Sequence, residues 1–176
     1  MNIKNFYAIN WLLRLIILAS IAYFLINNKL NVGVFLLIFL IIIIFTVKLS
    51  QKIELILLIL LLIHIAGILW LYTTNWFDLI FHFVWGFFLA QIILIYLKSD
   101  KKTRLSMLLT TFFAVSLATL FGVLWEFFEF FWDSSFAVNS IYPRAQVSLA
   151  DTMVDLILDV LGAIIASCFY FFKHQS

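Results

Sequence analysis

The chain has 176 residues, 66% of them hydrophobic and only 11% charged, with a formal net charge of +2 and a mean hydropathy of +1.17. No soluble domain of this size hides so much apolar surface, so composition excludes a soluble enzyme and implies an integral membrane protein. The lipid bilayer is the expected partner, and nucleic acid is not.

Six apolar segments follow one another at about 9–27, 32–47, 53–72, 76–97, 105–131 and 149–172. Backbone groups in lipid must be satisfied within the segment, and no alternating pattern suggests a barrel, so the expected fold class is all-α. The reading is a polytopic bundle of six transmembrane helices forming a single integral membrane domain over 1–176. In the first segment Ser20-Ile21-Ala22 mimics a signal-peptidase site only weakly, and the apolar run continues through Tyr23-Phe24-Leu25-Ile26, which predicts an uncleaved span. The second is short for a hydrocarbon core of ~30 Å and calls for local thinning or borrowed flanking residues. The third opens with Glu54, placed to complement a helix N-terminus. It also carries His64, which reads first as a packing residue and only second as a ligand. The single cysteine, Cys168, excludes an internal disulfide and is expected to be inert packing.

Charge orients the chain. With six spans, Lys4, Lys48, Lys52, Lys98, Lys101, Lys102, Arg104 and Lys173 share one face, with Arg14 one turn inside it, against Lys29 and Arg144 on the other. The positive-inside rule then puts both termini in the cytoplasm and the protein in the cell membrane. Trp70, Tyr72, Trp76, Trp132 and Tyr142 form an outer aromatic belt, and Tyr7, Trp11, Tyr96 and Tyr170 an inner one. The longest connection, 132–148, holds the only proline, Pro143, and is long enough to be a cover over a site.

Seven of the nine acids fall at the outer ends of the last three spans. The fourth span has Asp78 and His82 four residues apart, with Gly86 continuing that face. The fifth has Glu126, Glu129 and Asp133 on one stripe, and the sixth has Asp151, Asp155 and Asp159 at i, i+4, i+8. Each stripe must face the bundle interior, because a carboxylate at mid-membrane costs ~2.5–3.5 kcal/mol even on a lenient insertion scale. At ~1.5 Å per residue, Asp159 lies ~12 Å deeper than Asp151.

Two remedies exist for so much negative charge. The carboxylates hold protons, since burial and like charge favour the neutral form. Alternatively a divalent cation (Mg²⁺, Mn²⁺, Ca²⁺ or, with His82, Zn²⁺ or iron) sits among Asp78, His82, Glu126, Glu129, Asp155 and Asp159. A hydrogen-bonded network that only fixes helix packing stays open as a third reading. Asp133, Arg144 and Asp151 are candidates for a substrate contact or lid at the mouth. Ser116, Thr119 and Gly122, and likewise Gly162-Ala163, are read as small residues for close helix approach.

Three motifs, Asp78-x3-His82-x3-Gly86, Trp125-Glu126-x2-Glu129 and Asp151-Thr152-Met153-x-Asp155-x3-Asp159-x2-Gly162-Ala163, resemble the YjdF-like family of small membrane proteins. More distantly they resemble VanZ-like proteins, some of which are linked to glycopeptide resistance. The likeness covers roughly residues 76–166 and implies a multi-pass membrane protein of unestablished activity. VanZ-like sequences usually carry glutamine and asparagine where this chain has Glu129 and Asp159, so this site is the more acidic.

The Asp-x3-Asp spacing also suits metal-held diphosphate chemistry. However, the Asp-Gly-x2-Ala-Arg motif of CDP-alcohol phosphotransferases is absent, as are serine-hydrolase and His-Glu-x2-His signatures. The favoured reading is an acidic/His cation-binding pocket open to the outer face, serving a metal-assisted enzyme or a binder of a lipid-linked headgroup. The alternatives are an ion- or proton-coupled transporter and a non-catalytic scaffold or resistance protein. Oligomeric state is not written in the sequence.

Overall fold

The computed structural model describes all residues except 1–2, 47–49, 72–73, 100–104, 138–144 and 174–176. Six α-helices account for almost all of it: α1 (Ile3–Ile26), α2 (Leu30–Thr46), α3 (Gln51–Ala66), α4 (Asn75–Ser99), α5 (Met107–Trp132) and α6 (Leu149–Lys173). The described residues form no strand. The chain is a helical membrane protein. Five helical stretches are long and apolar enough to cross a bilayer, and α2, with 17 residues, is the short one. At ~1.5 Å per residue it reaches ~26 Å, a few ångströms less than a typical hydrocarbon core.

Two helices end in a wider coil than the sequence suggests. A π-helical turn, Gly67–Leu71, extends α3, and another, Asp133–Ala137, extends α5 into what reads as the start of the long loop. At both junctions one N–H is shared between two carbonyls. Gly67 donates to His64 and Ile63, and Asp133 to Glu129 and Phe130.

The chain divides into two compact units, Met1–Thr73 and Thr74–Ser176. In the first unit, α1 and α2 form a hairpin that turns through Asn28, whose φ of 59° is a left-handed conformation that asparagine tolerates. The Lys29 N–H closes the turn on the Phe24 carbonyl at 2.9 Å. Its polar centre joins α1 to α3. Glu54 is buried and accepts from Arg14 Nε at 2.7 Å and from Arg14 Nη2, while the buried Asn10 amide donates to Glu54, to the Gln51 side chain and to the Gln51 carbonyl. Glu54 lies in the first turn of α3, as expected, and is also an interhelical ion-pair partner. The α3 N-terminus is also capped by Ser50, which accepts from the Lys52 N–H. His64 belongs to this unit, with its ring 6.0 Å from that of Phe35.

In the second unit α4 and α6 run parallel, and α5 is antiparallel to both. A single stripe of α5 is buried: Thr110, Ala114, Ala118, Gly122, Glu126 and Glu129. Its N-terminal half is small residues and its C-terminal end acids. The matching stripe of α6 runs from Asp155 and Asp159 to Gly162, Ala163, Ala166 and Ser167. Alanine and glycine allow close helix approach where no hydrophobic effect drives association. Ser116 lies outside the α5 stripe and is exposed, and Thr119 turns its hydroxyl back to the Val115 carbonyl.

The close contact between α4 and α6 depends on two glycines. A Cβ at Gly86 would collide with the Asp159 carbonyl oxygen and stand 2.7 Å from Asp159 Cα. One at Gly162 would collide with the Phe83 carbonyl oxygen and stand 2.8 Å from Phe87 N. Below these crossings Leu89, Ala90, Leu94, Ala114, Ala118, Ala163 and Ala166 form a buried apolar core. Phenylalanine instead covers the outside, with Phe112, Phe121, Phe127, Phe130, Phe131, Phe169 and Phe172 exposed as lipid contact requires. Cys168 is exposed too, not packed inside.

Candidate functional site

The acids gather at one end of the second unit, where α4 and α6 begin and α5 ends. The contacts sort them into levels. At the floor the Asp159 carboxylate, 1% exposed, lies against Gly122, where a Cβ would stand 3.1 Å from Asp159 Cγ. One turn nearer the mouth are His82 on α4, Glu126 on α5 and Asp155 on α6, all at most 3% exposed. Asp78 lies one turn further out, and its side chain retains 26% exposure.

His82 is the hub. Its Nδ1 lies 3.3 Å from Asp159 Oδ2. With the proton on Nδ1 donated to that carboxylate, Nε2 presents its lone pair on the opposite side of the ring. Nε2 is buried with no hydrogen-bond partner and lies 3.9 Å from Asp78 Oδ1. One ligand atom each from Asp78, His82 and Asp155 fall within 4.8 Å of one another. In that tautomer Nε2 is an acceptor facing Asp78 while Nδ1 is held by Asp159, the arrangement in which a carboxylate orients a metal-ligating imidazole.

Three of the six candidate ligands thus converge: Asp78, His82 and Asp155. Asp159 reaches the group through the far side of the imidazole. Glu129 Oε1 accepts the Trp125 indole N–H at 2.7 Å. Glu126 Oε2 accepts from the Gln146 amide at 3.3 Å, whereas its Oε1 is buried and unpartnered.

The candidates at the mouth fasten the chain to itself. Asp133 accepts the N–H groups of Ala145 and Gln146, each at 2.9 Å, and so pins the end of the long connection to α5. Asp151 Oδ2 accepts the Val147 N–H while its own N–H donates to Ser148 Oγ, a reciprocal pairing that starts α6. Arg144, like Tyr142 and Pro143, lies outside the described residues.

A family model described as Predicted membrane protein (DUF2238) matches residues 5–176. The chain belongs to that family. No curated protein and no solved structure matches it. For this DUF2238 member, membership establishes a membrane protein and leaves the activity to the site.

Gln146 is the residue that sequence reading passed over. Its amide nitrogen bridges Glu126 and, at 2.7 Å, Thr152 Oγ1, and its main chain is held by Asp133. A glutamine in a long loop carries no periodic signal. Only Trp125 and Thr152, already inside the motifs, hint that the acids have uncharged partners.

Proposed function

We propose that the second unit binds a divalent cation through Asp78, His82 and Asp155, with Asp159 as the positioning residue, in a pocket that opens at the outer face of the cell membrane. The observation that carries this reading is the buried, unpartnered Nε2 of His82, 3.9 Å from Asp78 Oδ1, in a ring whose Nδ1 lies 3.3 Å from Asp159 and which groups with Asp78 and Asp155. Mixed imidazole and carboxylate ligation favours Mn²⁺ or Zn²⁺ over Mg²⁺ and Ca²⁺, which prefer oxygen alone. The small-residue core beneath Asp159 supports a dead-ended pocket over a conduction path, which needs polar groups through the full thickness. At the level of lipid headgroups, an ion held there would bind and polarise a lipid-linked headgroup. The likeness to YjdF-like and VanZ-like membrane proteins belongs to the same proposal.

In detergent, the wild-type protein should melt higher with added Mn²⁺ or Zn²⁺ than with chelator, since a ligand of the folded state adds about 2.7 kcal/mol at a hundredfold excess over Kd. A melting temperature insensitive to Mn²⁺, Zn²⁺, Mg²⁺ and Ca²⁺ would overturn the reading. A response to pH alone would favour carboxylates that share protons.

Orientation is tested separately. In a Cys168→Ala background, Ser135→Cys should react with a membrane-impermeant thiol reagent on intact cells and Ser99→Cys should not, as the charge distribution requires. The reverse pattern would put the pocket on the cytoplasmic side.

A further inference from the structure

Counted as ionised, the carboxylates of this cluster outnumber the charge of one divalent ion. Asp78, Glu126, Glu129, Asp155 and Asp159 are five carboxylates on one set of helix ends, four of them buried. Among the described residues, His82 is the only basic side chain paired with any of them. As a metal ligand, His82 is neutral and offsets nothing. With all five ionised, a single divalent cation would leave three negative charges in a helical bundle where each is expensive.

The unused oxygens indicate where a second cation belongs. Gly122 of α5 faces the Asp159 carboxylate of α6. These helices are antiparallel, so one turn toward the mouth on each brings Glu126 level with Asp155. The Gln146 amide, spanning Glu126 Oε2 and Thr152 Oγ1, closes the same gap one step further out. Glu126 is 3% exposed, and its Oε1 has no partner. Asp155 is 2% exposed, and its Oδ1 has none either.

We propose that a second divalent-cation site lies between Glu126 and Asp155, adjoining the first, with Asp155 bridging the two ions. This rests on the reading of Asp78, His82 and Asp155 as the first site. Glu126 is a ligand of the second ion alone, and Gln146 is the residue that positions it. Two protein carboxylates leave most of the coordination sphere to water or to a bound headgroup, as hard cations that hydrate strongly prefer. Bridged ions of this kind stand ~3.5–4 Å apart. With both in place the pocket carries a single residual negative charge.

Mn²⁺ is the probe, read by metal analysis and electron paramagnetic resonance on the full-length protein in detergent. The wild type should hold two Mn²⁺ per chain and show a spin-coupled spectrum. Glu126→Gln should hold one, with the six-line spectrum of an isolated ion, and should melt in chelator no lower than the wild type. One uncoupled Mn²⁺ in the wild type would overturn the second site and leave the first standing. No bound Mn²⁺ would remove both. A Glu126→Gln protein that still holds two coupled ions, or holds none, would remove Glu126 from the role assigned to it.

Discussion

Changing Asp155 to asparagine should erase most of the cation-dependent rise in melting temperature while making the cation-free protein more stable than the wild type. The two effects share one cause. Asp155 is 2% exposed and groups with Asp78 and His82, so its charge would both attract a cation and add repulsion when no cation is present. Asparagine keeps the shape, retains a neutral oxygen and removes the charge. Without a cation, the wild type must either hold like charges together or protonate them, and the variant has one fewer to accommodate. With saturating Mn²⁺, the wild type gains about 2.7 kcal/mol at a hundredfold excess over Kd, and the variant should gain a small fraction of that. Paired thermal melts in chelator and in Mn²⁺ measure both halves. An unchanged ion response would mean that the cation sits elsewhere or that Asp155 is not a ligand. A loss of stability in chelator would mean that the Asp155 charge is already balanced by the protein.

Much of this architecture is legible in the sequence because a membrane imposes strong rules. Helix positions follow from apolar length alone, and α4 and α6 begin within a residue of where hydropathy places them. The acidic stripes are legible for the same reason, since a carboxylate at i, i+4, i+8 on a lipid-bound helix has only the interior to face.

Pairing between helices is not legible, because it depends on register. Glu54 reads as a helix-end charge, which it is, but only the packing of α1 brings Arg14 and Asn10 against it. Ser116 and Thr119 look like a packing stripe until the rotation of α5 turns Ala114, Ala118 and Gly122 inward instead. Five acids and a histidine suggest one shared metal centre. Register decides that three of them converge and that Asp159 acts through the imidazole. The roles of Asp133 and Asp151 were hidden for another reason. Their partners are backbone N–H groups of Ala145, Gln146 and Val147, which every residue but proline offers and no pattern marks.

Gly86→Ala should lower the melting temperature by roughly 6–12 °C if overpacking costs ~3 kcal/mol. The added Cβ would meet the Asp159 carbonyl, Cα and carbonyl carbon, all of them backbone atoms of α6. Backbone within a helix cannot swing aside as a side chain does, so α4 and α6 must part. The same movement would draw His82, one turn away on α4, off Asp159 and Asp155. Stability and cation response should therefore fall together. Gly122→Ala provides the contrast. There the new methyl meets the Asp159 carboxylate, a side-chain end that yields by rotating about its own bonds. Its melting temperature in chelator should fall less than that of Gly86→Ala. Its cation response should still weaken, because the displaced carboxylate no longer holds Nδ1 of His82. Melts of both variants with chelator and with Mn²⁺ separate the cases. Equal stability losses with intact ion responses would show that neither glycine is tied to the site. A Gly86→Ala protein as stable as the wild type would show that α4 and α6 do not cross this closely.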